Sequence, residues 1–163
     1  MSGFARLVSA GAGTPRPGEK GGDPLHLTID GYGGDASKLA DTELIRSVLD
    51  RYPGEIGMTK ISVPHVMEYV GEKPEDWGVS GFVLIAESHI SLHTFVGRGY
   101  IWADIFSCKA FDGDRAIDDL QRVFNLQSVD VRVLERGLEY PHDVEASIPL
   151  MYEERVEVTA TAP

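Results

Sequence analysis

The sequence VSGFVLIA at residues 79–86 runs directly into ESHISLHTF at residues 87–95, and together they decide the fold. The first stretch is almost continuously apolar, which predicts a buried central strand. The second alternates polar and apolar residues, so a strand here carries His89, Ser91 and His93 on one face. We therefore expect two successive strands of one sheet, the second of them with a polar face.

Weaker patterns on either side predict the remaining strands and two helices. Alternating apolar residues predict strands at 25–30, 56–63, 100–107 and 128–135, with 154–159 as a candidate edge strand. Apolar residues at three- and four-residue spacing predict helices at about 37–51, closed by Pro53-Gly54, and from Asp112 onward. Residues 64–78 are rich in Pro, Gly and acidic residues, which predicts a long surface loop.

This order of elements separates the helices from runs of neighbouring antiparallel strands, which defines the α+β class. We expect a two-layer sandwich in which an antiparallel sheet has helices on one face. The other face of such a sheet is either polar or covered by a partner. Residues 1–23 are rich in Gly, Pro and Ala and are predicted to form a disordered tail, which leaves residues 24–163 as a single domain.

Charge and composition exclude several classes of function. The 163 residues include 15 Lys and Arg against 26 Asp and Glu, and this net charge of −11 argues against binding nucleic acid or anionic lipid. No apolar run approaches the ~18 residues that span a bilayer, and the N-terminus lacks the order of a secretory signal, so a cytoplasmic location is expected. Cys108 is the one cysteine and cannot form an internal disulfide.

Reactive side chains are concentrated between Glu87 and Thr94, and Cys108 follows at the end of the next strand. A carboxylate, hydroxyls, imidazoles and a thiol on paired strands are the ingredients of nucleophilic and acid–base catalysis. The same residues also suit a polar strand face with satisfied histidines and a structural cysteine, so two interpretations stay open. No metal is expected, because His89 and His93 lie far apart on a strand and have no third ligand nearby.

Residues 78–94, with Gly99-Tyr100, Asp104 and Cys108 after them, resemble the prokaryotic S-adenosylmethionine decarboxylase proenzymes. Proenzymes of that family cut themselves between the Glu and the Ser of this motif, and the Ser becomes a pyruvoyl group. The resemblance implies that this group forms a Schiff base with the substrate amine, in place of pyridoxal phosphate. It also implies a homodimer of processed protomers that acts on a small molecule.

The resemblance assigns a role to each reactive residue of the segment. It implies a cut between Glu87 and Ser88, which divides the domain into a β and an α chain. Ser80 matches the position that donates a hydrogen bond to the carbonyl of the bond that is cut. His93 matches the base that removes the α-proton of Ser88. Cys108 matches the general acid that returns a proton to the substrate carbon after CO2 has left.

The sequence departs from the family where the substrate is recognised. The family continues His-Thr-aromatic-Pro-Glu, whereas this chain has Phe95-Val96-Gly97, and the lost acid is the one expected to bind the ribose hydroxyls. Aromatic surfaces for adenine, a first-strand carboxylate and a guanidinium for a carboxylate remain as candidate substrate-binding groups: Phe95 and Trp77, Asp30, and Arg98. The candidates to replace the lost acid are Glu68, Glu72 and Asp76.

Three functions stay open on the sequence. The first is decarboxylation of S-adenosylmethionine for the synthesis of polyamines such as spermidine. The second applies the same machinery to ornithine or arginine, because the ribose-binding acid is missing. The third is a non-catalytic regulatory paralogue, which the intact processing residues disfavour.

Overall fold

The computed structural model describes residues 6–7 and 25–135 of the chain. Its strands and helices are, in chain order, β1 (Arg6–Leu7), β2 (Leu25–Tyr32), α1 (Ala36–Leu39), α2 (Thr42–Glu55), β3 (Thr59–Lys60), β4 (His65–Tyr69), β5 (Gly78–Ala86), β6 (Ser88–Phe95), β7 (Tyr100–Ser107), α3 (Gly113–Phe124) and β8 (Ser128–Glu135). Two 3-10 turns are also present: Pro74–Asp76, here called the acidic turn, and Val96–Arg98, here called the glycine turn.

The strands of the described residues form one sheet in the order β1-β8-β2-β7-β6-β5-β3, and β4 also pairs with β5. Every pair is antiparallel except β1 with β8. The order differs from that of the chain, because β2 lies between β7 and β8. The predicted α+β class with an antiparallel sheet is confirmed.

Helices α2 and α3 cover one face of the sheet, because one set of alternating strand residues is apolar. That set forms a buried layer: Leu27, Ile29, Val83, Ile85, Ile90, Leu92, Ile101, Ile105, Val129 and Val131. The helices bury their own apolar stripes on it: Ile45, Val48, Leu49 and Tyr52 from α2, and Ala116, Ile117, Leu120 and Phe124 from α3. Full burial of a large apolar side chain stabilises by ~1.5–3 kcal/mol, so this layer holds the helices on the sheet.

The first helical segment differs from its prediction, because it forms two helices. The Asp41 carboxylate accepts a hydrogen bond from the Leu44 backbone N–H at 2.9 Å and so begins a second helix after the short α1. Pro53 does not end α2 but lies within its last turn, where a proline removes only one backbone hydrogen bond. The predicted cap of α3 is confirmed, since Asp112 accepts from the Arg115 N–H at 2.9 Å.

The region between α2 and β5 also differs from its prediction. The strand expected at 56–63 is reduced to β3, and the loop expected at 64–78 contains β4 and the acidic turn. β4 pairs with the outer edge of β5 through its backbone, while most of its side chains are exposed. A strand with so little buried surface leaves no alternation of apolar residues in the sequence.

The tail predicted to be disordered contributes β1, whose Arg6 pairs with Asp130 of β8. The edge of a sheet carries unpaired backbone N–H and C=O groups, and a passing segment can bond to them without any side-chain pattern. The rest of residues 1–23 and the candidate strand at 154–159 lie outside the described residues. Within the part of the chain that is described, no helix is long and apolar enough to cross a membrane.

A close backbone approach joins the start of β5 to the end of β6. Gly78 is buried, and a Cβ atom on it would lie 1.8 Å from the carbonyl oxygen of Thr94. The buried Thr94 hydroxyl accepts from the Val79 N–H and donates to the Leu39 carbonyl, each at 2.8 Å. This one hydroxyl therefore connects β5, β6 and α1.

Replacing Gly78 by Ala should destabilise the protein by at least ~2 kcal/mol, because the added methyl group overlaps the Thr94 carbonyl and the strands must separate. Urea unfolding measures the loss. Gly54→Ala is the matched control, since a Cβ at that exposed helical position meets nothing within 4 Å and should stabilise by up to ~1 kcal/mol. Equal stabilities of the two variants would contradict the close approach.

Candidate active site

The face of the sheet opposite the helices carries the polar residues predicted to do chemistry. The strand register arranges them in rows that cross the sheet: His26, Phe106 and His89; Thr28, Asp104 and Ser91; Asp30, Trp102, His93 and Ser80; and Tyr32, Tyr100 and Phe95. The predicted placement of His89, Ser91 and His93 on one face is confirmed. We call this surface the open face.

Ser88 lies at the first position of β6, beside the turn residue Glu87. Its Oγ atom is buried and has no hydrogen-bond partner among the described residues. The Cys108 thiol lies 3.7 Å from the carbonyl oxygen of Glu87 and donates to it. A free hydroxyl therefore lies next to a peptide carbonyl that is already polarised by a donor, which is the arrangement that nucleophilic attack requires.

The Cys108 thiol is held in its protonated form. Burial raises the pKa of Cys108 above its ordinary value, and the neighbouring negative charge of Glu87 raises it further. The thiolate is therefore scarce at neutral pH. A protonated thiol at this position is suited to donating a proton or a hydrogen bond rather than to acting as a nucleophile.

His93 and Ser80 form a second cluster, away from Ser88. The His93 Nδ1 and Ser80 Oγ atoms are 3.0 Å apart on neighbouring strands. Five positions of β6 separate His93 from Ser88, which is about 16 Å at the rise of a strand. The family resemblance implies that Ser80 and His93 lie at the Glu87–Ser88 bond, but within one chain the donor at the Glu87 carbonyl is Cys108.

A histidine–carboxylate contact lies between the two clusters, in the middle of the open face. The His26 Nε2 atom is 3.2 Å from one oxygen of Asp104, and the Ser91 hydroxyl donates to the other at 3.4 Å. The His26 ring also packs against Phe106, with the ring centroids 5.4 Å apart. The predicted first-strand carboxylate, Asp30, belongs to a different row.

Asp30 is held within an aromatic network at the far end of the open face. The Tyr100 hydroxyl donates to the Asp30 carboxylate, Arg132 approaches its other oxygen at 3.4 Å, and the Trp102 indole N–H donates to Tyr100. Phe95 packs edge-on against Trp102 at 4.7 Å between centroids. Burial, with the bond to Asp30, raises the pKa of Tyr100, so the phenol stays protonated and donating.

The acidic turn and the glycine turn meet beside Phe95. The Arg98 Nε atom donates to Asp76 at 3.1 Å, so the guanidinium predicted to recognise a substrate carboxylate has a partner in its own chain. The Trp77 carbonyl accepts from the Val96 N–H at 3.1 Å, which fixes the predicted aromatic loop next to the glycine turn. Glu75, which no pattern in the sequence singles out, lies directly against Gly97.

Fold and site together define a one-sheet protein that has a buried serine hydroxyl beside a protonated thiol, and an imidazole on its open face. A sequence model described as S-adenosylmethionine decarboxylase matches residues 25–137. An S-adenosylmethionine decarboxylase proenzyme from Picrophilus torridus is 37% identical over 128 residues, which cover 78% of this chain and 94% of that protein. One from Aquifex aeolicus is 36% identical over 118 residues, covering 70% and 81%.

The solved structures include a close match as well. The crystal structure of the adenosylmethionine decarboxylase from Aquifex aeolicus superposes with a TM-score of 0.59 at 35% identity, and the match covers 70% of this chain and 90% of that one. The chain belongs to the S-adenosylmethionine decarboxylase family.

Replacing Glu87 by Gln in a Ser88→Ala background should lower the pKa of Cys108, because loss of the neighbouring negative charge favours the thiolate. Burial, the larger cause, keeps the pKa above its ordinary value. The pH dependence of alkylation by iodoacetamide measures the shift, since Cys108 is the sole cysteine. The control variant Glu43→Gln, at an exposed position of α2, should leave the pH profile of alkylation unchanged. An identical profile for Glu87→Gln and its parent would contradict the charge effect.

Proposed function

We propose that this protein is a self-processing, pyruvoyl-dependent decarboxylase of S-adenosylmethionine. Family membership makes it a decarboxylase, and its relatives carry the name of the S-adenosylmethionine enzyme, which does not favour the alternative of ornithine or arginine. The product serves polyamine synthesis. The observation that carries the proposal is the buried, unpartnered Ser88 hydroxyl beside a carbonyl that accepts from the Cys108 thiol.

Self-processing begins with attack of the Ser88 oxygen on the Glu87 carbonyl carbon. The new C–O bond replaces the C–N bond of the peptide and gives an ester, while the Cys108 S–H stabilises the charge that builds on the carbonyl oxygen. A base then removes the α-proton of Ser88, and the bond between the Cβ and Oγ atoms of Ser88 breaks to release Glu87 as a carboxylate that keeps this oxygen. Water hydrolyses the resulting enamine, in its imine form, to a pyruvoyl group with loss of ammonia.

The residues around Ser88 fit such a group. A pyruvoyl group supplies an electrophilic carbonyl that draws electrons from the amino acid as CO2 leaves. Cys108 is protonated at neutral pH and lies beside the Glu87–Ser88 bond, which supports its role in returning a proton to the substrate carbon. Phe95 and Trp77 offer aromatic surfaces to adenine, and Asp30 remains a candidate for a polar group of the substrate.

The base, His93, has to come from a second copy of the chain. Within one chain about 16 Å separates His93 from Ser88, too far for direct proton transfer. Two open faces packed against each other in opposite directions bring the His93–Ser80 pair of each protomer toward the end of β6 at which Ser88 and Cys108 of the other protomer lie. The open face also exposes apolar side chains that such packing buries, Phe82, Leu84, Trp102 and Leu134, each at least 40% exposed.

The proposed homodimer is therefore supported by the site as well as by the resemblance to the family. Each of its two active sites takes residues from both protomers. A regulatory paralogue without activity would have no need of the free Ser88 hydroxyl. A cytoplasmic location remains a prediction from the sequence.

Self-cleavage between Glu87 and Ser88 should give two fragments, residues 1–87 and 88–163. Intact mass measurement should find the second fragment with a pyruvoyl group in place of its N-terminal serine. The Ser88→Ala variant should remain a single chain, because it lacks the attacking oxygen. An ordinary serine at the new N-terminus would show hydrolysis without elimination and would contradict the proposal.

Co-expression of two inactive variants should restore one site in each mixed dimer. His93→Ala and Ser88→Ala should each leave the chain uncut when expressed alone. In the mixed dimer the His93→Ala chain keeps its own Ser88 and receives His93 of the partner subunit, so that chain should be cut. Mass measurement distinguishes the two chains. Absence of any cut chain from the co-expressed pair would place the base elsewhere.

A further inference from the structure

The His93 imidazole lies in a row of side chains that crosses the open face. Its neighbours in the strand register are Trp102 of β7 on one side and Ser80 of β5 on the other. The His93 Nδ1 atom is 3.0 Å from the Ser80 Oγ atom, and the imidazole and indole rings meet edge-on with their centroids 6.4 Å apart. The imidazole is therefore held between a hydroxyl and an indole.

The Trp102 indole is restrained by its own contacts, although it lies at the surface of the single chain and is 45% exposed. Its Nε1–H donates to the Tyr100 hydroxyl, which donates in turn to the Asp30 carboxylate. The Phe95 ring packs against it with 4.7 Å between centroids and 70° between planes, a favourable edge-on geometry. A side chain with these contacts does not turn as freely as an isolated surface tryptophan, so it can fix the position of a neighbour.

The row limits both the rotamer of His93 and the nitrogen that is available for proton transfer. A histidine on a strand surface can take several staggered rotamers, and the indole occupies the space on the β7 side, away from Ser80. Nδ1 is taken up by Ser80, and Nε2 makes no hydrogen bond to the described residues. When Nδ1–H donates to the Ser80 oxygen, the lone pair that a base needs lies on Nε2.

We propose that Trp102 is a positioning residue for self-processing, which holds His93 in the rotamer that offers Nε2 to Ser88 of the partner subunit. This inference rests on the proposed function. Trp102 touches none of the reacting atoms and acts through His93. A general base works only within hydrogen-bond reach of the proton, and a misplacement of ~1 Å can cost ~100-fold in rate. Loss of the indole therefore slows the step in which the α-proton is removed.

Trp102→Ala should slow cleavage of the chain about tenfold or more, because the imidazole can then turn away from Ser80. Intact mass measurement at intervals after synthesis gives the rate, at a protein concentration at which sedimentation shows a dimer. Leu134→Ala is the matched control, since it also removes an exposed apolar side chain of the open face but lies on β8, three strands from β6. Its rate should equal that of the wild type. Equal rates for the two variants would overturn the inference.

Hydroxylamine identifies the step that Trp102 affects. The ester between Glu87 and Ser88 forms before the base acts, and hydroxylamine attacks its carbonyl carbon, breaks the C–O bond and leaves an ordinary serine on the second fragment. Both Trp102→Ala and His93→Ala should therefore be cut in its presence, whereas Ser88→Ala, which forms no ester, should stay intact. A Trp102→Ala chain that resists hydroxylamine would show a defect in the first step or in folding and would overturn the inference.

A mixed dimer tests whether Trp102 acts on the site of the other protomer, as His93 does. Trp102→Ala is co-expressed with an excess of Ser88→Ala, so that its Ser88 receives the partner subunit's His93 beside the partner subunit's Trp102. The Trp102→Ala chain should then be cut at the wild-type rate. Rescue of a His93→Ala chain by the same excess, but not of the Trp102→Ala chain, would overturn this inference alone. Rescue of neither would contradict the proposed second-copy base as well.

Discussion

The two-residue side-chain period of β6 is the constraint on which the rest of the structure depends. Its apolar residues are committed to the layer beneath the helices, so His89, Ser91 and His93 lie on the open face, whereas Ser88, at the start of the strand, has the parity of Ile90 and Leu92. The same backbone is nearly straight and spreads these residues along its length. Ser88 and His93 share a strand and for that reason cannot meet. Because the strand holds Ser88 and His93 apart, a second copy of the sheet is needed to bring an imidazole to Ser88.

Polar side chains of the sheet differ sharply in how they are held. Asp104 is bonded to His26, and Asp30 is bonded to Tyr100, so these carboxylates have fixed positions within the face. The Ser88 hydroxyl is buried without a partner among the described residues. Leaving a buried hydroxyl unbonded costs ~1–3 kcal/mol, and the stable surroundings make that cost tolerable. The reactive group is the one that the network leaves free.

Most of the sheet could be predicted because its strands bury one side and expose the other. β2, β7 and β8 have this alternation, and the structure places them close to the predicted bounds. β4 could not be found, since it is bonded to β5 through its backbone while its side chains remain exposed. The individual reactive residues were recognisable in the sequence, but the contact of Cys108 with the Glu87 carbonyl was not, because it depends on how β6 and β7 are aligned. The contact between Glu75 and Gly97 could not be predicted from the sequence, because only the packing of two turns brings these residues together.

The order of the strands has a consequence for the two pieces that a cut after Glu87 would leave. The first piece contributes β2, which is bonded on one side to β7 and on the other to β8, both from the second piece. The second piece contributes β6, which lies between β7 and β5 of the first. Strands of the two pieces are therefore interleaved within one sheet. Neither piece can dissociate without breaking the backbone hydrogen bonds between its strands and those of the other. Maturation would therefore turn one polypeptide into two chains that remain folded only as a complex.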